Sequence, residues 1–200
     1  MDSELSAMCA WREATRKASK ARGEEYATVL PDIGWDVGAP MPHVFSSGHQ
    51  AFVLFHLAQP SPDWDGTWIR VVDPADPAPA ALGLIEFVRP HSVKFGGPND
   101  EVLHGHPLSE RGLEAYRAHE VHNSRWITEE ERINSVHSNH QGGWHQRMHH
   151  YVLAFHDETL ECLAADLRLE RLTCAFPEAV AQVAARLVAL PSDDDAEPED

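Results

Sequence analysis

The chain has 200 residues, 42% hydrophobic and 24% charged, with 14 prolines and 12 glycines, a composition of one folded domain and not of a disordered, collagenous or low-complexity chain. Its formal charge of -16, from 16 Lys+Arg against 32 Asp+Glu, repels phosphate backbones and argues against nucleic acid as a partner. The most apolar stretch, 51–58, is interrupted by His56 and falls far short of the roughly 20 residues of a membrane span.

Leu5, Met8 and Cys9 recur at helical spacing, which predicts an amphipathic N-terminal helix over 3–20 within an arm of residues 1–30. Pro31, Gly34, Gly38 and Pro40 then mark a linker or covering loop whose Trp35 packs on the body. The near-continuous apolar run at 51–58 reads as a strand buried on both faces, and 67–72, 81–88 and 92–95 follow as further strands of an antiparallel meander. From Ser109 the texture turns helical. Leu113, Ala115, Tyr116 and Ala118 suggest one helical face, and Thr128 with Glu131 has the spacing of a capping box. Ile133, Val136, His137 and His140 then fall on one stripe that is expected to turn inward.

The runs at 151–155 and 160–165 predict a hairpin; a turn centred on Glu158 and Thr159 places His156 opposite Glu161. Pro177 suits the first turn of a closing helix over 177–190, with Val180, Val183, Ala184, Leu187 and Val188 facing the sheet. Six acidic residues among the last eight make 191–200 a solvated acidic tail and leave about -10 on the rest. The expected architecture is therefore α+β: a single domain over 31–190, an antiparallel β-sheet of about five or six strands drawn from 43–95 and 149–166, a helical insertion at 109–148 and a C-terminal packing helix.

Three cysteines, Cys9, Cys162 and Cys174, with no C-x-x-C pair, suggest neither a disulfide framework nor a cysteine zinc site and fit a reducing, cytoplasmic setting. Histidine is the anomaly. Ten of the 14 lie between His104 and His156, and imidazole is both a common metal ligand and the side chain most readily switched near neutral pH. His104 and His106 flank Gly105 directly after Asp100 and Glu101, while His137 with His140 and His145 with His149 have the spacing of one helical turn. His119-Glu-Val-His122 is one residue short of the zinc-helix pattern, so that analogy does not carry over. His149 and His150 must point to opposite sides of a strand. Cys162, near His156 and Glu161, reads as a nucleophile candidate or, more plainly, as a buried strand thiol.

Asp32-Ile-Gly-Trp-Asp36, Gly97-Pro-Asn-Asp-Glu101 with Gly105-His-Pro-Leu108, His122-Asn-Ser-Arg-Trp126 and the run 151–162 give the stretch 31–165 an order of segments that resembles an uncharacterised bacterial protein family. The resemblance implies a widespread stand-alone domain and supplies no cofactor, substrate or catalytic residue. From the residues themselves, the first functional expectation is a cytoplasmic enzyme acting on a small molecule, sited where the 97–106 loop meets the inserted helices and the hairpin. His104, His106, His137, His140, Asp100 and Glu101 are its candidate ligands for a divalent transition metal, Zn²⁺ or Fe²⁺, and His156 and Glu161 its acid/base pair. The alternatives are a non-catalytic binding or regulatory domain with structural, pH-responsive histidines, and a small-molecule pocket without metal.

Overall fold

Period-two alternation of apolar side chains recurs along this chain, and nine strands follow from it among the described residues. The computed structural model describes residues 2–58 and 72–189; the strand expected at 67–72 lies outside them but for Val72, and so do Trp64, Trp68 and the acidic tail. In chain order the elements are α1 (Asp2–Ala21), β1 (Tyr26–Val29), β2 (His43–Ser46), β3 (Ala51–His56), β4 (Pro79–Val88), β5 (Ser92–Gly96), β6 (Ala118–His122), α2 (Arg125–Asn134), β7 (His149–Ala154), β8 (Thr159–Ala164), β9 (Asp166–Ala175) and α3 (Phe176–Val188). No described helix is long and apolar enough to cross a membrane.

The α+β class and the antiparallel pairing are as the sequence predicts, but the strands form two sheets and not one. A five-stranded sheet runs β1-β6-β7-β8-β5 and a four-stranded sheet β2-β3-β4-β9. Their facing sides close on Val53, Phe55, Ile85, Phe87, Tyr151, Leu153, Leu160 and Cys162, which are almost wholly shielded from solvent. Trp35 stacks against Phe155 at one margin of this core, with ring centroids 4.4 Å apart, so the covering loop packs as expected. β3 is buried at all six positions because its outer face carries Phe52 and Leu54 against Phe176, Ala179 and Val183 of α3. That accounts for its unbroken apolar run.

The opposite outer face, on the five-stranded sheet, is covered by irregular chain: Leu103, Leu108 and Leu113 pack on Ala27, Val121, Val152 and Ala154. Here the expected helical insertion at 109–148 is corrected. Gly112 has φ +106° and Tyr116 φ +60°, values an α-helix cannot hold, and β6 begins two residues later at Ala118. The Gly112 conformation is required by space as well: a Cβ there would stand 2.2 Å from the Ala27 carbonyl oxygen, where residues 111–112 cover the free edge of β1 through Ala27 N–H donating to Arg111 O at 2.8 Å.

Within that insertion only α2 is a full helix. Its N-cap is Ser124, whose Oγ accepts from Ile127 N–H at 3.2 Å; the Thr128 capping box is thus corrected by one turn. The helix ends at Asn134, so His137 and His140 are not on a helical stripe, and Ile133 and Val136 are exposed. Ser135 to Gly143 contains polar residues and two left-handed glycines, Gly142 and Gly143, that cannot extend the helix cheaply.

Candidate functional site

Pairing in the β7–β8 hairpin decides which side chains meet. Ala154 pairs with Thr159 and Val152 with Glu161, so the turn occupies residues 155–158 and His156 sits in it, not opposite Glu161. The expected His156–Glu161 pair is therefore corrected. The displacement is an even number of residues, so Glu161 keeps its face; the imidazole it reaches is His150, diagonally across the hairpin on the outer side of the sheet. Glu161 Oε2 lies 3.0 Å from His150 Nε2, and His150 Nδ1 lies 2.9 Å from Ser124 Oγ. Ser124 and His150 are buried and Glu161 partly so.

Donor and acceptor bookkeeping fixes one consistent neutral arrangement. His150 Nε2–H donates to the Glu161 carboxylate, the Ser124 hydroxyl donates to Nδ1, and Ser124 Oγ accepts the Ile127 amide. Three elements thus carry one relay: the β6–α2 turn supplies Ser124, β7 His150 and β8 Glu161. Asn123, at φ +53°, turns the strand sharply into the helix and sets the serine at the helix mouth. Of the first-turn amides, Arg125 N–H is held by Glu25 Oε1 at 2.9 Å, while Trp126 N–H has no hydrogen-bond partner among the described residues.

The surroundings favour a charged Glu161. Burial opposes its ionisation, but the His150 hydrogen bond, helped by the nearby Lys94 ammonium, outweighs burial and holds its pKa below the usual carboxylate value. Lys94, the cross-strand partner of Glu161 on β5, places its ammonium 3.5 Å from the centroid of the Trp126 ring, and the same indole meets His150 edge-on at 5.2 Å. His106 is half-buried; burial holds its pKa below the ordinary imidazole value, with Glu161 pulling the other way.

Ser124 also lines a cleft of about 470 Å³ formed with Gly23, Glu120, His122, Ile127, His145 and His149. Ser124 thus stands between this cleft and the covered face of the sheet on which His150 and Glu161 meet.

The other predicted residues separate into distinct places. His104 is exposed, with Nδ1 3.1 Å from the Glu101 carbonyl oxygen, and Glu101 is exposed beside it. Asp100 accepts a very short hydrogen bond from Tyr116, which lowers the Asp100 pKa and raises the phenol to about 12. His156 lies near this pair, its pKa raised by the hydrogen bond to Asp157 at 2.8 Å. His140 bonds Glu131 of α2 at 2.9 Å, whereas His137 is exposed. Among the described residues, no three His, Cys, Asp or Glu side chains converge so as to hold a metal ion. Of the residues singled out in the sequence, Glu161 and His106 belong to the covered face around the relay.

Cys162 faces the opposite side, into the core between the sheets, and burial pushes its thiol up to about 12, which leaves the plain strand-thiol reading. His149 and His150 do point apart, the first to Glu120 at 2.7 Å. Ser124 and His150 were the residues the sequence reading missed as site residues. The strand ending at His122 followed by Asn-Ser and an amphipathic run was the available signal for a serine at a strand-to-helix turn. No protein-family model, curated protein or solved structure matches the chain.

Proposed function

We propose that the protein is an enzyme acting on a small molecule by acyl transfer, hydrolysing an ester or amide with Ser124 as nucleophile. The observation that carries this reading is the continuous Ser124 Oγ, His150, Glu161 relay, with contacts of 2.9 and 3.0 Å, ending on a cleft. It has the chemical order of a serine, histidine and acid triad, although the two imidazole nitrogens exchange their usual partners.

In the proposed step Ser124 Oγ bonds to the acyl carbon as its proton passes to His150 Nδ1, and the carbonyl electron pair moves to oxygen. Glu161, accepting from Nε2–H, stabilises the imidazolium and holds its tautomer. The positive end of α2 and the unpaired Trp126 amide suit the developing oxyanion. Collapse expels the leaving group, which takes the proton from His150; water, deprotonated by the same nitrogen, then releases the acid and restores the serine.

A second reading has its own support. His91 with Glu130, His140 with Glu131, His149 with Glu120 and His156 with Asp157 are separate imidazole–carboxylate contacts, the distribution expected of a non-catalytic domain whose histidines respond to pH. One experiment divides the two: treat the protein with a fluorophosphonate, measure the intact mass and map the adduct by peptide mass spectrometry. A single adduct on Ser124, abolished by denaturing the protein first, is expected. No adduct, or an adduct on another serine, overturns the acyl-transfer reading and leaves the binding domain.

A further inference from the structure

The wall of the Ser124 cleft has a one-sided charge. Its lining includes Glu120 but no lysine or arginine among the described residues; the rest is Val121, Ile127 and Met148, neutral polar groups and the imidazoles of His122, His145 and His149. Glu120 is partly exposed, and Oε1 accepts from His149 Nδ1 at 2.7 Å, the one hydrogen bond to this carboxylate among the described residues. His122 is engaged with Thr28 Oγ1 at 2.8 Å and His145 faces Glu131 at 3.4 Å. Glu120 and Ser124 are four residues apart along β6 and its turn, which sets them no more than about 13 Å apart.

We infer that the substrate of this site is a small ester or amide bearing a cationic ammonium group, with Glu120 as the carboxylate that receives the cation and Ser124 as the group that receives the acyl carbon. This inference rests on the acyl-transfer reading above and specifies its substrate class. The cleft volume of about 470 Å³ is at the lower end for small-molecule sites, which fits a short acyl group joined to an amine-bearing alcohol or amine. An anionic substrate finds no basic side chain there, and the surplus of acid across the chain repels it at long range. An unpaired charge near a carboxylate in a partly open cleft is worth about tenfold in rate or affinity at low salt.

The test uses two isosteric phosphonylating reagents, one ending in trimethylammonium and the other in the neutral tert-butyl group, applied to the full chain. The second-order rate of Ser124 modification is followed by mass spectrometry. The cationic reagent is expected to react about tenfold faster at low salt, with the ratio falling toward one in the isosteric variant Glu120→Gln and in high salt. Equal rates in the unaltered protein, or a preference that survives in Glu120→Gln, overturn the substrate assignment while Ser124 remains the nucleophile. Failure of both reagents to modify Ser124 overturns the acyl-transfer reading itself.

Discussion

Ser124 has two duties that are normally in tension. As an N-cap it accepts the Ile127 amide, and as the head of the relay it donates to His150; a hydroxyl has the lone pairs and the proton to do both at once. Replacing it with alanine removes the cap, at about 1 kcal/mol, and strands a buried imidazole nitrogen, at about 1–3 kcal/mol more. Urea denaturation of Ser124→Ala is expected to show a total loss of about 2–4 kcal/mol; a loss under about 0.5 kcal/mol would mean that the hydroxyl is not held as described. Ser124→Thr keeps both bonds in kind and is expected to recover most of that stability. Little of this was legible at the level of residues. Fourteen histidines advertise themselves in the sequence, but several find partners within a few residues, as His104, His119 and His156 do, and His150 is distinguished only by the register of the hairpin around it.

At the scale of elements, the hairpin shows how a correct assignment can still misplace a site. Both strands were readable from alternation, and the turn was not, because Asp157-Glu-Thr159 contains no glycine or proline to fix its centre. The four-residue turn moves Glu161 from His156 to His150 without changing its face. β6 was hidden for a related reason: Leu113, Ala115, Tyr116 and Ala118 mimic a helical stripe, and the positive φ values that forbid the helix are imposed by tertiary contacts at Gly112 and Tyr116. β9 has Leu167 and Leu169 on the core side and Leu172 and Cys174 toward α3, so its apolar residues change face midway and blur the strand signal. The segment at Gly112 is accordingly a rigid part of the cover. Gly112→Ala forces a Cβ against the Ala27 carbonyl at a backbone angle that side chains rarely adopt, and a destabilisation of about 3 kcal/mol or more is expected in a thermal or urea melt. Gly48→Ala, with no atom within 4 Å of the added Cβ, is the contrasting variant and is expected to stay within about 0.5 kcal/mol.

For the whole molecule, the consequence of burying His119 and half-burying His106 is acid sensitivity. His119 is completely shielded in β6, its Nε2 accepts from Glu114 N–H at 3.0 Å, and burial pushes its pKa down from 6.5 to about 4. The unfolded chain therefore binds this proton more readily than the folded one. Stability is intact above pH 6.5 and falls as the pH drops from 6.5 to about 4, by about 3 kcal/mol from this residue alone. His106, also lowered by burial, adds in the same direction. Urea midpoints measured from pH 7.5 to 4.5 are expected to decline, and His119→Gln is expected to flatten much of the slope; an unchanged slope in that variant would remove His119 as its origin. The layered architecture was largely readable in advance, because α+β class, antiparallel pairing and the closing helix all follow from periodicity. The division into two sheets was not, since it depends on where β4 hands the chain to β5 and β8 to β9, and those crossings are set by packing of both faces together.

The central claim is that Ser124, His150 and Glu161 act as one unit, and the measurement that tests it most directly is the rate of Ser124 phosphonylation in the unaltered protein, in His150→Gln, in Glu161→Gln and in the double variant. Each single change is expected to slow the reaction at least a hundredfold, and the double variant to be no slower than the worse of the two, because a relay broken at one link gains nothing from a second break. Single variants that react at the unaltered rate, or losses that multiply in the double variant, would contradict the relay.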